Sequence, residues 1–477
     1  MLTALLPESI LLLTALLVLG LGVSAPGART AAAALTLVGG FLAAAALVFF
    51  PVDGNFLGGM IDLDPLARLF KLAILGLGLA AVVFAYESFP VAHFAESLAL
   101  VLFSVIGMMM LAGTADLLMI FIALELTSIP LYVLAAFDRE RPASAEAGLK
   151  YFLIGSVSAA FLLYGLSLVY GVTGTTGLAA ISRIQGAPDP LLLAGIVFVL
   201  AGFAFKVAAV PFQLWVPDVY AGAPTAAAAL IASGSKVAGI FILAKILTFG
   251  FGHMAGATGW PTTLALMAAA SVVLGNVAAL AQSNVKRLLA YSAIAHGGYL
   301  LIGLASAGTE SLPAVLFYVV VYALTTAGAF GVVAVVEKQR GGARLEDFDG
   351  LAKTSPVLAL CLLVFLISLA GIPPLAGFFG KFYLFASALS NPRLIWLVVL
   401  AITMNAVSLY YYLIVLKHAF VLPAANAGAP AHAPASRCLV AALALAVLAL
   451  GLAPDILLGP LTKAAPAKVA TLKTDLR

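Results

Sequence analysis

The chain has 477 residues, of which 64% are hydrophobic and only 9% are Asp, Glu, Lys or Arg. A soluble domain carries about 25% charge, so a soluble enzyme core, a disordered chain and a nucleic-acid-binding protein are excluded. The mean hydropathy of +1.17 and repeated apolar runs near the membrane-spanning length of about 20 residues indicate an all-α polytopic membrane protein. Barrel strands alternate polar and apolar over about 10 residues, a pattern that is not found here.

The first apolar run begins at Leu5, with no basic segment before it and no small-residue cleavage site, and reads as a retained span. About fourteen spans are expected in all. The first three cover 5–24, 30–50 and 66–85. The next five, 97–113, 116–136, 148–172, 190–213 and 224–249, form one block. A second block of five covers 262–281, 287–306, 312–336, 355–388 and 393–421, and a last span covers 436–454. Loops are short and rich in Gly and Pro, so the whole chain, 1–477, reads as one membrane domain. Its parts are an N-terminal three-helix segment (1–96), a first five-helix repeat (97–249), a second (262–421), and a last helix with its tail (436–477). An odd number of crossings per block inverts the second against the first. Pro211 interrupts the seventh span, and Pro373 with Pro374 the twelfth, and broken helices in corresponding parts of two halves are a mark of inverted-repeat transport folds. Direct similarity between the blocks is slight, little beyond Leu200-Ala201-Gly202 against Leu369-Ala370-Gly371.

Orientation follows from the basic residues. With the N-terminus outside, the inner loops hold Arg29, Arg139, Arg141, Lys150, Lys286, Arg287, Lys338, Arg340, Arg344, Lys353, Lys417 and Arg437. The outer loops hold Arg68, Lys71, Arg183 and Arg393, and the tail holds Lys463, Lys468, Lys473 and Arg477. The bias places both termini outside.

Four lysines fall inside apolar runs: Lys206, Lys236, Lys245 and Lys381, as does one carboxylate, Glu125. Lipid exposure of four such lysines would cost roughly 10–14 kcal/mol, so they must face protein, water or a counter-charge. Lys245 lies near a helix end, where its stem can snorkel. The other three are central and outnumber the obvious acidic partner. Burial disfavours the charged form of a lysine and a nearby carboxylate restores it, so a Glu–Lys pair of variable separation can load and release a proton. Glu125 with Lys206 is the natural pair, and Lys236 adds a second like charge. His296 lies in an otherwise apolar span and can relay a proton through either ring nitrogen or serve as an interhelical hydrogen-bonder. Asp218 and Asp116 read as interface or cap residues, the stretch from Glu337 to Lys353 as a solvated loop, and the Phe and Tyr stripes as packing or lipid-facing. The two cysteines, Cys361 and Cys438, cannot supply an iron–sulfur cluster or a thiolate zinc site, and the five histidines form no close pair. No metal or cofactor is expected on this chain, and any redox chemistry belongs to a partner.

Several stretches together resemble the antiporter-like membrane subunits of respiratory complex I, NADH:quinone oxidoreductase, and among them the subunit N (chain 2) group. They are ALELTSIPLYVLAAF (123–137), EAGLKYFLIGSVSAAFLLYGLSLVYGVTG (146–174), FKVAAVPFQLWVPDVYAGAPT (205–225), QSNVKRLLAYSAIAHGGYLLIGL (282–304), YVVVYALTTAGAF (318–330) and SLAGIPPLAGFFGKFYLF (368–385). By that resemblance Glu125 corresponds to the glutamate of helix five, Lys206 and Lys236 to the lysines of helices seven and eight, and Lys381 to that of helix twelve. Lys381 favours subunit N, since subunit M carries a glutamate there and subunit L a long lateral helix. Lys150 matches a lysine near the cytoplasmic end of helix six, either a proton-uptake residue or an interfacial anchor, and His296 occupies the position between the two half-channels. The resemblance implies a proton-translocating subunit in a bacterial inner membrane, both termini periplasmic. It implies other membrane-arm subunits as neighbours, and NADH, FMN, iron–sulfur clusters and quinone on partner subunits. A subunit of a multi-subunit cation/proton antiporter and a non-conducting structural subunit stay open as alternatives.

Overall fold

A computed structural model describes residues 3–25, 27–90, 93–184, 189–307, 311–423 and 433–474. Among them the regular structure is helical apart from a small antiparallel hairpin, β1 (Gly54–Phe56) and β2 (Ile61–Leu63), which the sequence reading did not anticipate. The first half contains α1 (Leu6–Ser24), α2 (Arg29–Phe49), α3 (Pro65–Ser88), α4 (Phe94–Ala112), α5 (Leu117–Ala135) and α6 (Pro142–Thr173). It continues through α7 (Pro190–Val207), the short α8 (Val216–Gly222) and α9 (Thr225–Gly250). The second half contains α10 (Trp260–Ala279), α11 (Val285–Ala305), α12 (Ser311–Arg340), α13 (Pro356–Ala370), α14 (Ala376–Leu389) and α15 (Ile395–Phe420). The chain closes with α16 (Pro434–Leu452) and α17 (Asp455–Thr474). Thirteen helices among the described residues are long and apolar enough to cross a membrane. The shorter pair α13 and α14 fills the stretch 355–388 expected as one interrupted span. The helix in the tail, α17, was not anticipated. Of the tail's basic residues, Arg477 and the side chains of Lys468 and Lys473 lie outside the description.

Local chemistry starts and stops these helices. Asp64 accepts from the Ala67 amide at 2.6 Å before α3, and Asp189 from Leu191 at 2.7 Å before α7. Asp116 caps α5, accepting from the Leu118 and Met119 amides at 2.9 and 3.1 Å, and Asn284 caps α11. Three helices form the interior. The most apolar stretch of α9 is buried throughout, and those of α11 and α12 nearly so, while α1, α2, α6 and α15 leave apolar side chains on the outer surface.

Both expected interruptions are present. Helix α7 ends at Val207, and Ala208 takes a left-handed conformation (φ 63°). Helix α13 ends at Ala370, and Gly371 does the same (φ 79°). The Leu-Ala-Gly correspondence does not survive: Gly202 lies inside α7, where a Cβ would stand 2.6 Å from that of Leu162, whereas Gly371 is the break itself. A further irregularity was missed. Two π-helical turns, Ile231–Ser235 and Ile246–Gly250, adjoin Lys236 and Lys245 within α9, and such turns concentrate at functional sites.

Burial also corrects the charge census. Lys71 and Lys286, assigned to loops, are 2% and 1% exposed. Lys71 in α3 pairs with Glu8 of α1 at 2.6 Å, and breaking such a buried pair from one side costs about 3–5 kcal/mol. Lys245 does not snorkel. It is buried, donates to the Thr114 carbonyl at 2.6 Å and approaches Asp62 of the hairpin at 3.4 Å. Glu337 is not loop but the last turn of α12, mostly buried against Lys286.

Candidate functional site

Helical spacing puts Glu125, Ser128 and Tyr132 on neighbouring turns of α5. Lys206, in the last turn of α7, donates its ammonium to the Ser128 hydroxyl, which in turn donates to the Leu124 carbonyl at 2.5 Å. The Lys206 Nζ lies 5.2 and 5.8 Å from the ring centres of Phe205 and Tyr132. Glu125 is within electrostatic reach of this lysine, yet the two do not form a direct ion pair. The glutamate is half-buried at the edge of a face that exposes Ile122 and Ile129, and its Oε1 has no hydrogen-bond partner among the described residues. Sequence reasoning chose the pair and missed Ser128 between them.

Lys236 is 1% exposed and donates to the Ala293 carbonyl of α11 at 2.6 Å. Gly297 makes this approach feasible. A Cβ there would meet the Val207 carbonyl at the α7 break at 2.5 Å and the Lys236 Nζ at 3.8 Å. Lys381 on α14 is 4% exposed, donates to the Leu369 carbonyl at 2.6 Å and also to the Asn405 side chain of α15.

His296 stands between these two lysines. The Lys236 Nζ lies 5.1 Å from the Tyr322 ring, and that ring lies 5.1 Å from the imidazole. On the other side the Lys381 Nζ lies 5.0 Å from the Tyr299 ring, itself 5.5 Å from the imidazole. Each ring nitrogen has a phenol partner, Nδ1 with Tyr318 at 2.5 Å and Nε2 with Tyr412 at 3.3 Å. Tyr412 continues to Ser292 at 2.5 Å. Tyr411 donates to Asn276 at 3.0 Å, and Asn276 donates to Tyr299 at 3.3 Å. A neutral imidazole holds one donor and one acceptor, and a phenol can be either. A proton can therefore arrive at one nitrogen and leave from the other.

These tyrosines were read from the sequence as packing residues, and their hydroxyls were missed. One signal was available: Tyr318, Tyr322 and Thr326 recur every fourth residue along α12. The remaining candidate, Lys150, sits apart from the axis. It pairs with Glu146 at 2.6 Å and with Asp218 at 2.5 Å, and Asp218 also binds Arg287 at 2.9 Å. This half-open cluster joins α6, α8 and α11 at one end of the bundle. Among the described residues, no group of His, Cys, Asp and Glu is placed to hold a metal ion.

Residues 114–408, which contain all of these positions except Tyr411 and Tyr412, match the NADH:quinone oxidoreductase/Mrp antiporter transmembrane family. The chain belongs to this family. It is 46% identical over 450 residues to NADH-quinone oxidoreductase subunit N 2 of Acidobacterium capsulatum, covering 90% of this chain and 91% of that one. Among solved structures it is similar to a chain of respiratory complex I from Thermus thermophilus with bound aureothin, at 37% identity and a TM-score of 0.83, covering 96% and 99% of the two chains. It is also similar to a chain of the Mrp complex from a Dietzia species, at 25% identity and a TM-score of 0.83, covering 96% and 97%. The family's shared fold thus contains the whole axis from Glu125 to Lys381.

Proposed function

We propose that this chain is a subunit N of a bacterial NADH:quinone oxidoreductase, a membrane-arm subunit that moves protons while other subunits transfer electrons from NADH to quinone. The observation that carries the reading is the line Lys236–Tyr322–His296–Tyr299–Lys381, buried through the interior of a membrane bundle and extended by Lys206 and Ser128 towards Glu125. Its members are amines, an imidazole and hydroxyls, groups that exchange protons, and ionisable side chains at membrane depth commonly mark proton or ion paths. Glu125, through its charge, sets how strongly Lys206 holds a proton. Lys236 and His296 pass it laterally, and Lys381 exchanges it at the far half, where Asn405 and the Leu369 carbonyl hold the ammonium.

The blocks 97–249 and 262–421 serve as two inverted halves, a reading supported by the shared backbone route at the two helix breaks. The chain lies in the inner membrane with both termini periplasmic, as the excess of basic residues in the loops on the opposite side supports. Neighbouring antiporter-like subunits are its partners, and NADH, FMN, iron–sulfur clusters and quinone stay with the rest of the complex. Similarity to the Mrp complex favours a second reading, a cation/proton antiporter subunit without redox partners. Copurification separates the two, since only the first brings down flavin and iron–sulfur subunits. Within the assembled complex in sealed vesicles, Lys206→Ala is expected to slow NADH-driven proton pumping by about tenfold or more, as loss of a proton-transferring side chain does. Unchanged pumping with unchanged NADH oxidation rules out the Lys206 relay.

A further inference from the structure

At the basic end of the bundle a second carboxylate and a second buried lysine meet, apart from the axis described above. Lys286, in the first turn of α11, is 1% exposed. It donates to the Ala223 carbonyl at 2.9 Å and faces Glu337 of α12 at 3.6 Å. Glu337 keeps 18% of its side chain in contact with solvent. Its other partners are Arg141, at 3.5 Å, and the hydroxyl of Thr225, which donates to it. The charged and polar groups facing this carboxylate therefore come from α9, α11 and the link before α6. The cluster that joins Lys150, Asp218 and Arg287 gathers at the same end of α6, α8 and α11.

The position of this pair matters more than its strength. Thr225 is the first residue of α9, and Lys236 lies about 16 Å further along that helix at 1.5 Å per residue. Helix α12 runs the opposite way, from Tyr322 beside Lys236 to Glu337 beside Thr225. Between the two ends lie Thr326 and Tyr322, the latter already part of the axis through its ring. Tyr322 and Thr326 are both 2% exposed, and neither hydroxyl makes a well-formed hydrogen bond to a described residue, although they adjoin each other on α12. Buried hydroxyls without protein partners cost about 1–3 kcal/mol each, and a catalytic role is one of the few reasons a native fold retains them. Tyr220 on α8, just before the Ala223 carbonyl that Lys286 holds, is buried with its ring 5.8 Å from that of Phe330, which lies on α12 between Thr326 and Glu337.

We infer that Glu337, held by Lys286, is the loading site through which Lys236 exchanges protons with the aqueous phase at the basic end. Tyr220, Thr326 and Tyr322 line the way between them. A proton from water binds a Glu337 carboxylate oxygen and cancels the charge that faces Lys286. Passing that proton along the hydroxyls to the neutral amine of Lys236 makes an ammonium there, restores the carboxylate and renews the ion pair. The reverse sequence returns the proton, so the site works in either direction of transport. This inference rests on the proton-translocating reading of the chain, and adds to it a named gate between water and the axis.

The assembled complex in sealed vesicles tests it, by the rate of NADH-driven proton pumping. Glu337→Gln keeps the size and one accepting oxygen but loses the charge and cannot carry a proton. Glu337→Asp keeps the proton-carrying group and shortens its reach. A loading site predicts that Gln lowers pumping by about tenfold or more and that Asp restores most of it. A merely structural ion pair predicts that both variants change only the yield or thermal stability of the complex, and wild-type pumping by the assembled Glu337→Gln complex overturns the proposal. If Glu337→Gln does not assemble, Thr326→Val decides, because it removes a hydroxyl from the path and leaves the ion pair intact: slowed pumping supports the path and unchanged pumping overturns it. Lys236→Met separates this inference from the reading beneath it. Loss of pumping in Lys236→Met with wild-type pumping in Glu337→Gln removes the loading site alone, whereas wild-type pumping in Lys236→Met removes the axis as well.

Discussion

The chain leaves α7 and α13 by the same backbone route. A left-handed residue, Ala208 or Gly371, closes each helix, and the next amide reaches five residues back, Ala209 to Ala204 at 2.8 Å and Ile372 to Ile367 at 3.2 Å. This is the hydrogen-bond pattern of a Schellman cap. The side chains around the two breaks differ. Lys206 precedes its break, donates to Ser128 and has Glu125 within electrostatic reach. Lys381 follows its break, folds back onto the Leu369 carbonyl and Asn405, and among the described residues is paired with no carboxylate. One ammonium is thus opposed by a formal charge and the other by dipoles alone. The route of the backbone and the choice of partner are separate decisions, so a shared fold can carry two lysines that hold their protons with different strength.

The largest expected effect tests whether the two breaks act in series. Lys206→Ala and Lys381→Ala should each lower pumping by about tenfold or more, and the double variant should fall no further than the weaker single. Additive losses in vesicle measurements would show two independent routes instead. A smaller effect comes from exchanging the partners. Asn405→Asp gives Lys381 the formal charge that it lacks, and Glu125→Gln removes the charge from the first half. Both should slow pumping several-fold with the complex assembled, the first by trapping a proton and the second by weakening its capture. Wild-type rates in both would dissolve the contrast. The smallest effect lies in the backbone. Left-handed geometry costs a residue with a Cβ about 1–2 kcal/mol, so Gly371→Ala should lower the thermal stability of the solubilised complex and Ala208→Gly should raise it slightly. The Gly371 substitution should also disturb Lys381, whose Cδ would lie 3.0 Å from the new Cβ.

Much of the architecture was legible because the spans are set by local rules. Nearly every expected apolar run corresponds to a helix, and Pro211 and Pro374 marked both breaks. The hairpin at 54–63 escaped because its strands are only three residues long, too short for a periodic pattern. Within the site, Lys206, Lys236 and Lys381 stood out because an ammonium is costly in an apolar run. Lys71 and Lys286 did not, since each lies near a run's edge, where a lysine normally reaches water. Tyr318 and Tyr412 were passed over for a related reason: a tyrosine is an ordinary residue in a membrane helix, and only its hydroxyl's neighbour distinguishes a relay from packing.

The amino-acid sequence alone determined that the chain spans a membrane many times, where two helices must break, and which few charges the interior must accommodate. Those outcomes follow from transfer energies and backbone sterics that act within one turn or one span. Tertiary structure alone decided which partner each buried group meets: Glu8 for Lys71, Ser128 for Lys206, the phenols for His296 and Glu337 for Lys286. A long side chain crosses to a neighbouring helix, and that helix is brought near by packing rather than by sequence distance.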